Sequence, residues 1–454
     1  SPSRQKNATE RHSMPLSIRR HQKKILPFCA DSVEFCPHPE TFSWASTSSG
    51  DDVSDVFVCG NYQLDEDTKR KHGALWVYAC ERTDGTANED SPPSSKESEK
   101  DVKERQTKVE DKNDSGGDGS GSPPKCAAAT PKASYRMVEL GMLQTSAIFD
   151  LKWCPKKQKG GHMLLGEAAE DGFVSIYGTR SSSSSSSSGG ETKESSGETS
   201  TTTETAKNKD NKPPPCISVL SRTEVVKNKK PCLSLDWSPI EPNMMVVSQG
   251  DRGVSVWSVG EKGAAMTRKH LIEKAHDIDE VWIAAFDRAN PSLVYSGSDD
   301  CTLKSWDLRE SLHKPVVVNS GHEAGVTVIS PHPHREHVLA TGSYDEKIRI
   351  FDKRNLYRPL SQYETGGGVW RLRWNSNKGQ DEQLLAACMR AGFQVVSLDK
   401  DLKLHLQAKY DDHTTPGVTT LAYGCDWGRC EPSLIGSCSF YDKQLHLWSI
   451  HNEK

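Results

Sequence analysis

A seven-bladed β-propeller is the fold class this all-β sequence predicts, and three observations predict it. Short strand-like runs rich in Val, Ile, Leu and aromatic residues recur in groups, with polar turns between them. An aromatic residue closes the third strand of one group after another, with an aspartate six residues before it. The 454 residues are too many for an ordinary single core, yet they suit one closed ring of about 300 residues carrying insertions. The stretch Gly321 to Arg354 shows the unit most plainly. GVTVIS reads as a half-buried strand, and a His- and Pro-rich loop follows it. HVLATGS, a tight turn at Tyr344 to Lys347, and IRIFD complete three antiparallel strands.

The unit recurs in register. Asp345 precedes Phe351 as Asp300 precedes Trp306, Asp442 precedes Trp448, Asp251 precedes Trp257 and Asp171 precedes Tyr177. CMRAGFQVVSL keeps the strand pattern but carries Arg390 and Val396 at those two places. An aspartate in the turn between two strands can accept hydrogen bonds from that turn and from a histidine on the preceding loop. These units resemble WD repeats, and His276, Ser298, Asp300 and Trp306 match that family's structural tetrad.

In chain order, residues 1 to 25 form a polar, basic tail in which SMPLSIRR is expected to supply the outer strand of the last blade. The chain ends on three strands of blade seven, and a ring hides its edges only if the other terminus completes that blade. The propeller is expected over residues 26 to 454. Blade one reads DSVEFCPH, VFVCGNYQL, GALWVYAC and YRMVELGML. Residues 81 to 134, acidic and rich in Ser, Gly and Pro, are expected to be a disordered insertion. Blade two runs from AIFDLKWCP to ISVLSRTEVV around a second disordered insertion, about 180 to 215, led by eight serines. Blades three to seven open at Cys232, Val281, Gly321, Gly366 and Asp411.

Composition narrows the classes of function. A net charge of −4 offers no basic field for nucleic acid. Thirteen scattered cysteines, mostly inside strand patterns, suit a reducing compartment better than a disulfide framework. No apolar run reaches the length of a membrane span and no signal-peptide core follows the basic start. The expectation is a cytoplasmic monomer without a cofactor, binding neither membrane nor nucleic acid directly.

Several segments depart from generic WD repeats. CGNYQL, AHDIDEVWIAAF, HREH followed by LATGSYDE, GGVWRLRW, LLAACM-x-x-GF and YGCDW occur in this order. Together they resemble the WD-repeat diphthine methyl ester hydrolases of diphthamide biosynthesis, often named diphthine methyltransferases. The resemblance covers all seven blades and is densest from His276 to Trp427. It implies a carboxylic ester hydrolase acting on the methylated diphthine of elongation factor 2, whose side chain carries a trimethylammonium group and a methyl ester. Such a substrate asks for aromatic faces, nearby carboxylates and a group that activates water. Trp282 and Trp370, at equivalent places at the start of inner strands, where propellers line their central channel, are candidates for the cation, with Tyr344, Glu346 and Trp427 on turns or strand ends and Arg371 next to Trp370. Each tryptophan can instead pack between blades.

For the chemical step there is no G-x-S-x-G elbow. His276, His322 and His413 enter blades on loops and are candidate bases, although His276 and His322 also fit the tetrad. His413 is less committed, since Phe440 stands where its tetrad serine is expected. Cys388 occupies the serine position of blade six beside Arg390, a cation that can lower a thiol pKa. His332, His334 and His337 lack an acid or thiol at fixed spacing, and Cys425 and Cys430 make no C-x-x-C pair, so no metal site is expected. The competing class is a non-catalytic scaffold or a substrate adaptor of a ubiquitin ligase.

Overall fold

Among the described residues, twenty-eight strands pair into seven antiparallel sheets of four, each built from consecutive strands except one. The computed structural model describes residues 16–42, 53–64, 71–83, 133–179 and 216–452, apart from 279, 378, 414–416 and 432. The propeller is the unit formed by residues 1–82 and 135–454; the unit of residues 83–134 lies almost wholly outside the described residues, as does the expected second insertion. Blade I holds β2 (Cys29–Phe35), β3 (Val53–Leu64), β4 (Lys71–Thr83) and β5 (Ser134–Thr145). Blade II holds β6 (Ile148–Trp153), β7 (Leu164–Ala169), β8 (Phe173–Thr179) and β9 (Ile217–Glu224). Blades III to VI follow as β10–β13 (232–272), β14–β17 (283–319), β18–β21 (326–364) and β22–β25 (371–410). Blade VII takes β26 (Ala422–Trp427), β27 (Leu434–Ser439) and β28 (Gln444–Asn452) from the end of the chain and β1 (Leu16–Ile25) from its beginning. β1 lies antiparallel on β28, from Leu16 opposite Asn452 to Ile25 opposite Gln444.

The sequence dictates this layering. First and second strands such as CLSLDW (β10) and VLATGS (β19) are buried at every residue, because neighbouring blades cover both of their faces. Outer strands such as β9, ISVLSRTE, expose most of their length and carry the polar residues. Apolar side chains from each pair of blades interlock, as with Ile148, Leu151 and Trp153 against Val58, Leu75 and Val77. A repeated hydrogen bond pins the ring. The Nε1–H groups of Trp153, Trp237, Trp374 and Trp427 donate to the carbonyls of Glu34, Lys152, Ser330 and Arg373 in the preceding blade.

The aspartate six residues before the aromatic is a turn device. Asp171, Asp251, Asp300, Asp345 and Asp442 each accept, through Oδ1, the N–H two residues on, at 3.0–3.3 Å. The next residue takes a left-handed conformation, as at Arg252 (φ 71), Cys301 (φ 61) and Glu346 (φ 65). At Gly172 the backbone comes so close that a Cβ would lie 2.5 Å from the Val226 carbonyl. The tetrad of blade IV forms, with one change of partner. His276 Nδ1 meets Asp300 at 2.8 Å, but its Nε2 and the Trp306 indole both meet Ser296 Oγ, at 2.8 and 2.9 Å. Ser298, expected in that role, instead donates to the Glu280 carbonyl. It lies just past the end of β15 (Leu293–Gly297), two residues too far along to reach the buried ring. No helix among the described residues is long and apolar enough to cross a membrane.

Candidate functional site

The first strand of each blade ends on a large residue: Phe35, Trp153, Trp237, Phe286, Pro331, Trp374 or Trp427. Four residues earlier stand Asp31, Phe149, Leu233, Trp282, Thr327, Trp370 and Tyr423. Strand pairing is broken there in five blades, between Ala30 and Ser32, Ile148 and Asp150, Cys232 and Ser234, Val326 and Val328, and Ala422 and Cys425. In the other two blades, Trp282 and Trp370 stand directly before Ile283 and Arg371, where β14 and β22 begin. A bulge leaves its residue outside the ladder and free to point elsewhere. One residue per blade is thereby released at the same end of the innermost strands.

Most of these residues, with partners from second strands and turns, make a continuous run of rings. Phe149 meets Tyr62 at 5.7 Å between centroids, Tyr62 meets Phe440 at 5.3 Å and Phe440 stacks on Tyr423 at 5.1 Å. Tyr423 lies 4.8 Å from Trp370, which contacts Trp282 at 5.6 Å and Tyr344 at 6.2 Å. All seven rings are half-buried. At one end Lys71, paired with Glu170 at 2.6 Å, lies 5.8 Å from the rings of both Tyr62 and Phe149. At the other end, among the described residues, no lysine or arginine lies over Trp282, Tyr344, Trp370 or Tyr423. There the Trp282 Nε1–H donates to Asp299 Oδ1 at 2.7 Å, and the Trp370 Nε1–H is buried without a hydrogen-bond partner.

Charged groups lie beside this belt. Asp31, 1% exposed, is near enough to Tyr62, Tyr344 and Tyr423 for its charge to raise all three phenols, after the larger effect of their burial. Burial pushes the Asp31 carboxyl itself up to about 7, against the opposing pull of Arg371. Asp150, next to Phe149, behaves oppositely. Burial raises it, but Arg371 and Lys152, each in contact with Oδ1 at 3.0 and 2.6 Å, outweigh that effect and hold it below its ordinary value. Two neighbouring carboxyl groups are thus pushed apart, one held ionised and one poised near neutrality.

Of the residues expected at a site, Trp282, Tyr344 and Trp370 are brought together in the belt, and Arg371 adjoins it through Asp150 and the Phe149 carbonyl. Glu346 is an exposed turn residue whose carbonyl accepts from Thr365. Trp427 is a correction: it is wholly buried among blades VI and VII as one of the four inter-blade pins. Cys388 is another. Its thiol is wholly buried and pushed up to about 12 by that burial, the reverse of activation, while Arg390 lies exposed.

The histidines are structural. His276 is bonded at both nitrogens; burial lowers its pKa despite Asp300. His322 bonds Thr341 Oγ1 at 3.0 Å, and burial, then Arg349, lowers it to about 4. His413 does have its serine, Ser437 at 2.8 Å, shared with the Trp448 indole. It stacks 3.8 Å from His446 and is driven well below its ordinary pKa by burial. His413→Ala should therefore lower the melting temperature by several degrees, in line with the roughly 1–3 kcal/mol cost of leaving a buried polar group unsatisfied. Thermal unfolding checks this, and an unchanged melting temperature would return His413 to the candidate bases. His332 accepts from the N–H groups of His334 and Arg335 and packs 4.5 Å from Trp374, which accounts for it as a turn residue. No group of three or more His, Cys, Asp or Glu side chains suited to a metal occurs among the described residues.

Asp31, Phe149 and Tyr423 were missed, and counting back from the first strand's closing aromatic would have found all three.

Comparison with known proteins agrees with the blade pattern. The WD domain, G-beta repeat family matches residues 269–307 and 313–352. The diphthine methyltransferase of Homo sapiens is 33% identical over 301 residues, covering 64% of this chain and 58% of that protein. The diphthine methyltransferase homolog of Dictyostelium discoideum is 33% identical over 252 residues, covering 51% of this chain and 66% of that protein. The matched part thus spans roughly three-fifths of these relatives' length. A chain from a crystal structure of the mitotic checkpoint complex superposes with a TM-score of 0.54 over 99% of this chain and 96% of its own, at 12% identity, a likeness of fold alone. The chain is a seven-bladed WD-repeat β-propeller and a relative of the proteins named diphthine methyltransferase.

Proposed function

We propose that this chain hydrolyses the methyl ester of methylated diphthine on elongation factor 2, leaving diphthine for the final amidation of diphthamide synthesis. The observation that carries the reading is the belt formed by Trp282, Tyr344, Trp370 and Tyr423, with Asp299 and Asp31 beside it. Aromatic faces with carboxylates at their edge are the chemistry that holds a quaternary ammonium ion, which has no N–H to donate and is bound through its diffuse charge. The names of the relatives point to the same modified residue. The reading places the protein in the cytoplasm, acting as a monomer on a folded translation factor and needing no cofactor.

The test is methanol release from elongation factor 2 carrying methylated diphthine, with the loss of one methyl group followed by mass. A propeller that only bound the factor would release none. Within this reading Trp370→Ala should raise KM about tenfold, from a cation–π contact worth roughly 0.5–2 kcal/mol, with kcat little changed. Trp370→Phe, which keeps an aromatic face, should recover most of the loss. Equal KM for all three proteins would place the ammonium elsewhere.

A further inference from the structure

We infer that the Asp31 carboxylate is the general base of this ester hydrolysis, taking the proton of the attacking water beneath the aromatic belt, with Arg371 beside it to receive charge developing on the ester oxygen. The inference rests on the functional reading above. It starts from strand geometry: Asp31 is the bulged residue between Ala30 and Ser32, released from the β2–β3 ladder at the belt's level. Its Oδ2 is buried without a hydrogen-bond partner. So are Ser32 Oγ and both amide atoms of Asn61, on the same pair of strands. Buried polar atoms in folded proteins are nearly always partnered, so four such atoms on two adjoining strands leave hydrogen-bonding capacity that a water and an ester can take up. Asp150 shows the contrast: Lys152, Arg371 and the Leu235 N–H all occupy its oxygens, so it has none to offer a water.

The groups that face Asp31 are Arg371 from β22, Asp150 and Lys152 from β6, Cys438 from β27, and the phenols of Tyr62, Tyr344 and Tyr423. Only Arg371 and Lys152 oppose the burial and the Asp150 charge, and the carboxyl ends at about 7. A base matched to neutral pH is what proton abstraction from water requires. The step balances without a further reactant. Asp31 takes one proton from water as the hydroxide oxygen bonds to the ester carbon. The tetrahedral intermediate then expels methoxide, which takes the proton from Asp31 and leaves as methanol. The product acid ionises to solvent.

Single-turnover methanol release from methylated-diphthine elongation factor 2, measured from pH 5 to 9, tests this. In the native protein the rate should fall tenfold per pH unit below about 7 and level off above it. Asp31→Asn keeps the shape and removes a buried charge, so it should fold with an undiminished melting temperature and, at saturating factor, lose at least a hundredfold in single-turnover rate at pH 8. A native rate flat from pH 5 to 9, or an Asp31→Asn rate within threefold of native, would overturn the assignment while leaving the hydrolase reading standing. No methanol from the native protein at any pH would overturn both.

Discussion

A chain shortened to begin at Leu26 should melt about 5–10 °C below the full chain and aggregate on heating. Nine residues of Leu16–Ile25 pair with β28, and Leu16 and Ile18 pack on the cluster of Trp427, Ile435, Trp448 and Ile450. Removing them exposes the ladder edge of a strand buried from Gln444 to Ile450. Backbone hydrogen bonds contribute roughly 1 kcal/mol each when net exchange with water is counted. The lost pairing together with the lost apolar contacts therefore comes to the order of 5 kcal/mol, and each kcal/mol shifts melting by about 1–2 °C in a protein of this size. An unpaired, apolar edge is also a template for a second chain. Differential scanning calorimetry and light scattering read both effects. Equal melting curves for the two chains would mean that β1 is an ornament on a blade complete without it.

The fold was legible because its devices are local. An aspartate that closes a turn on its own backbone and an aromatic six residues on leave a pattern in five units, and the unit with Arg390 and Val396 turns instead through a left-handed Gly392, one place later. The site was only partly legible, for two physical reasons. The frame was anchored on third strands, whereas the channel is lined by first strands, so Trp282 and Trp370 were paired while Asp31 and Tyr423 at the same position went unnoticed. The belt also takes Tyr62 from β3 and Phe440 from the residue after β27, places that no period marks. The histidines misled because a buried tetrad and a catalytic pair use the same two residue types. What separates them is the depth of burial, which leaves His276, His322 and His413 at most 5% exposed. Ser296 stands two residues before Ser298, a shift that keeps the face of the strand but changes the depth, and Ser437 stands three residues before Phe440, across the end of β27.

Arg373→Met should destabilise the propeller by about 3–5 kcal/mol, the cost of breaking a buried ion pair by removing one partner. Arg373 projects from β22 between blades, 2.5 Å from Glu34 Oε2 on β2 and 3.9 Å from Asp426 Oδ1 on β26. Both carboxylates are nearly inaccessible to water, and Asp426 also accepts the Phe35 N–H and pairs with Arg429 at 3.0 Å. Burial already raises Glu34, with Arg373 the largest opposing influence and Lys152 the next. Without Arg373 the folded-state pKa of Glu34 climbs further above its unfolded value. A group raised in this way adds stability below the unfolded pKa and withdraws it as pH rises through the folded one. The deficit of the variant should therefore be small near pH 4 and largest above pH 8. Adding Glu34→Gln should recover much of it and flatten the pH dependence, since the stranded charge is then gone. Urea unfolding of the native protein, the single variants and the double variant across that range measures the coupling directly. A deficit independent of pH and untouched by Glu34→Gln would show that Arg373 acts through packing of its aliphatic stem and not through charge.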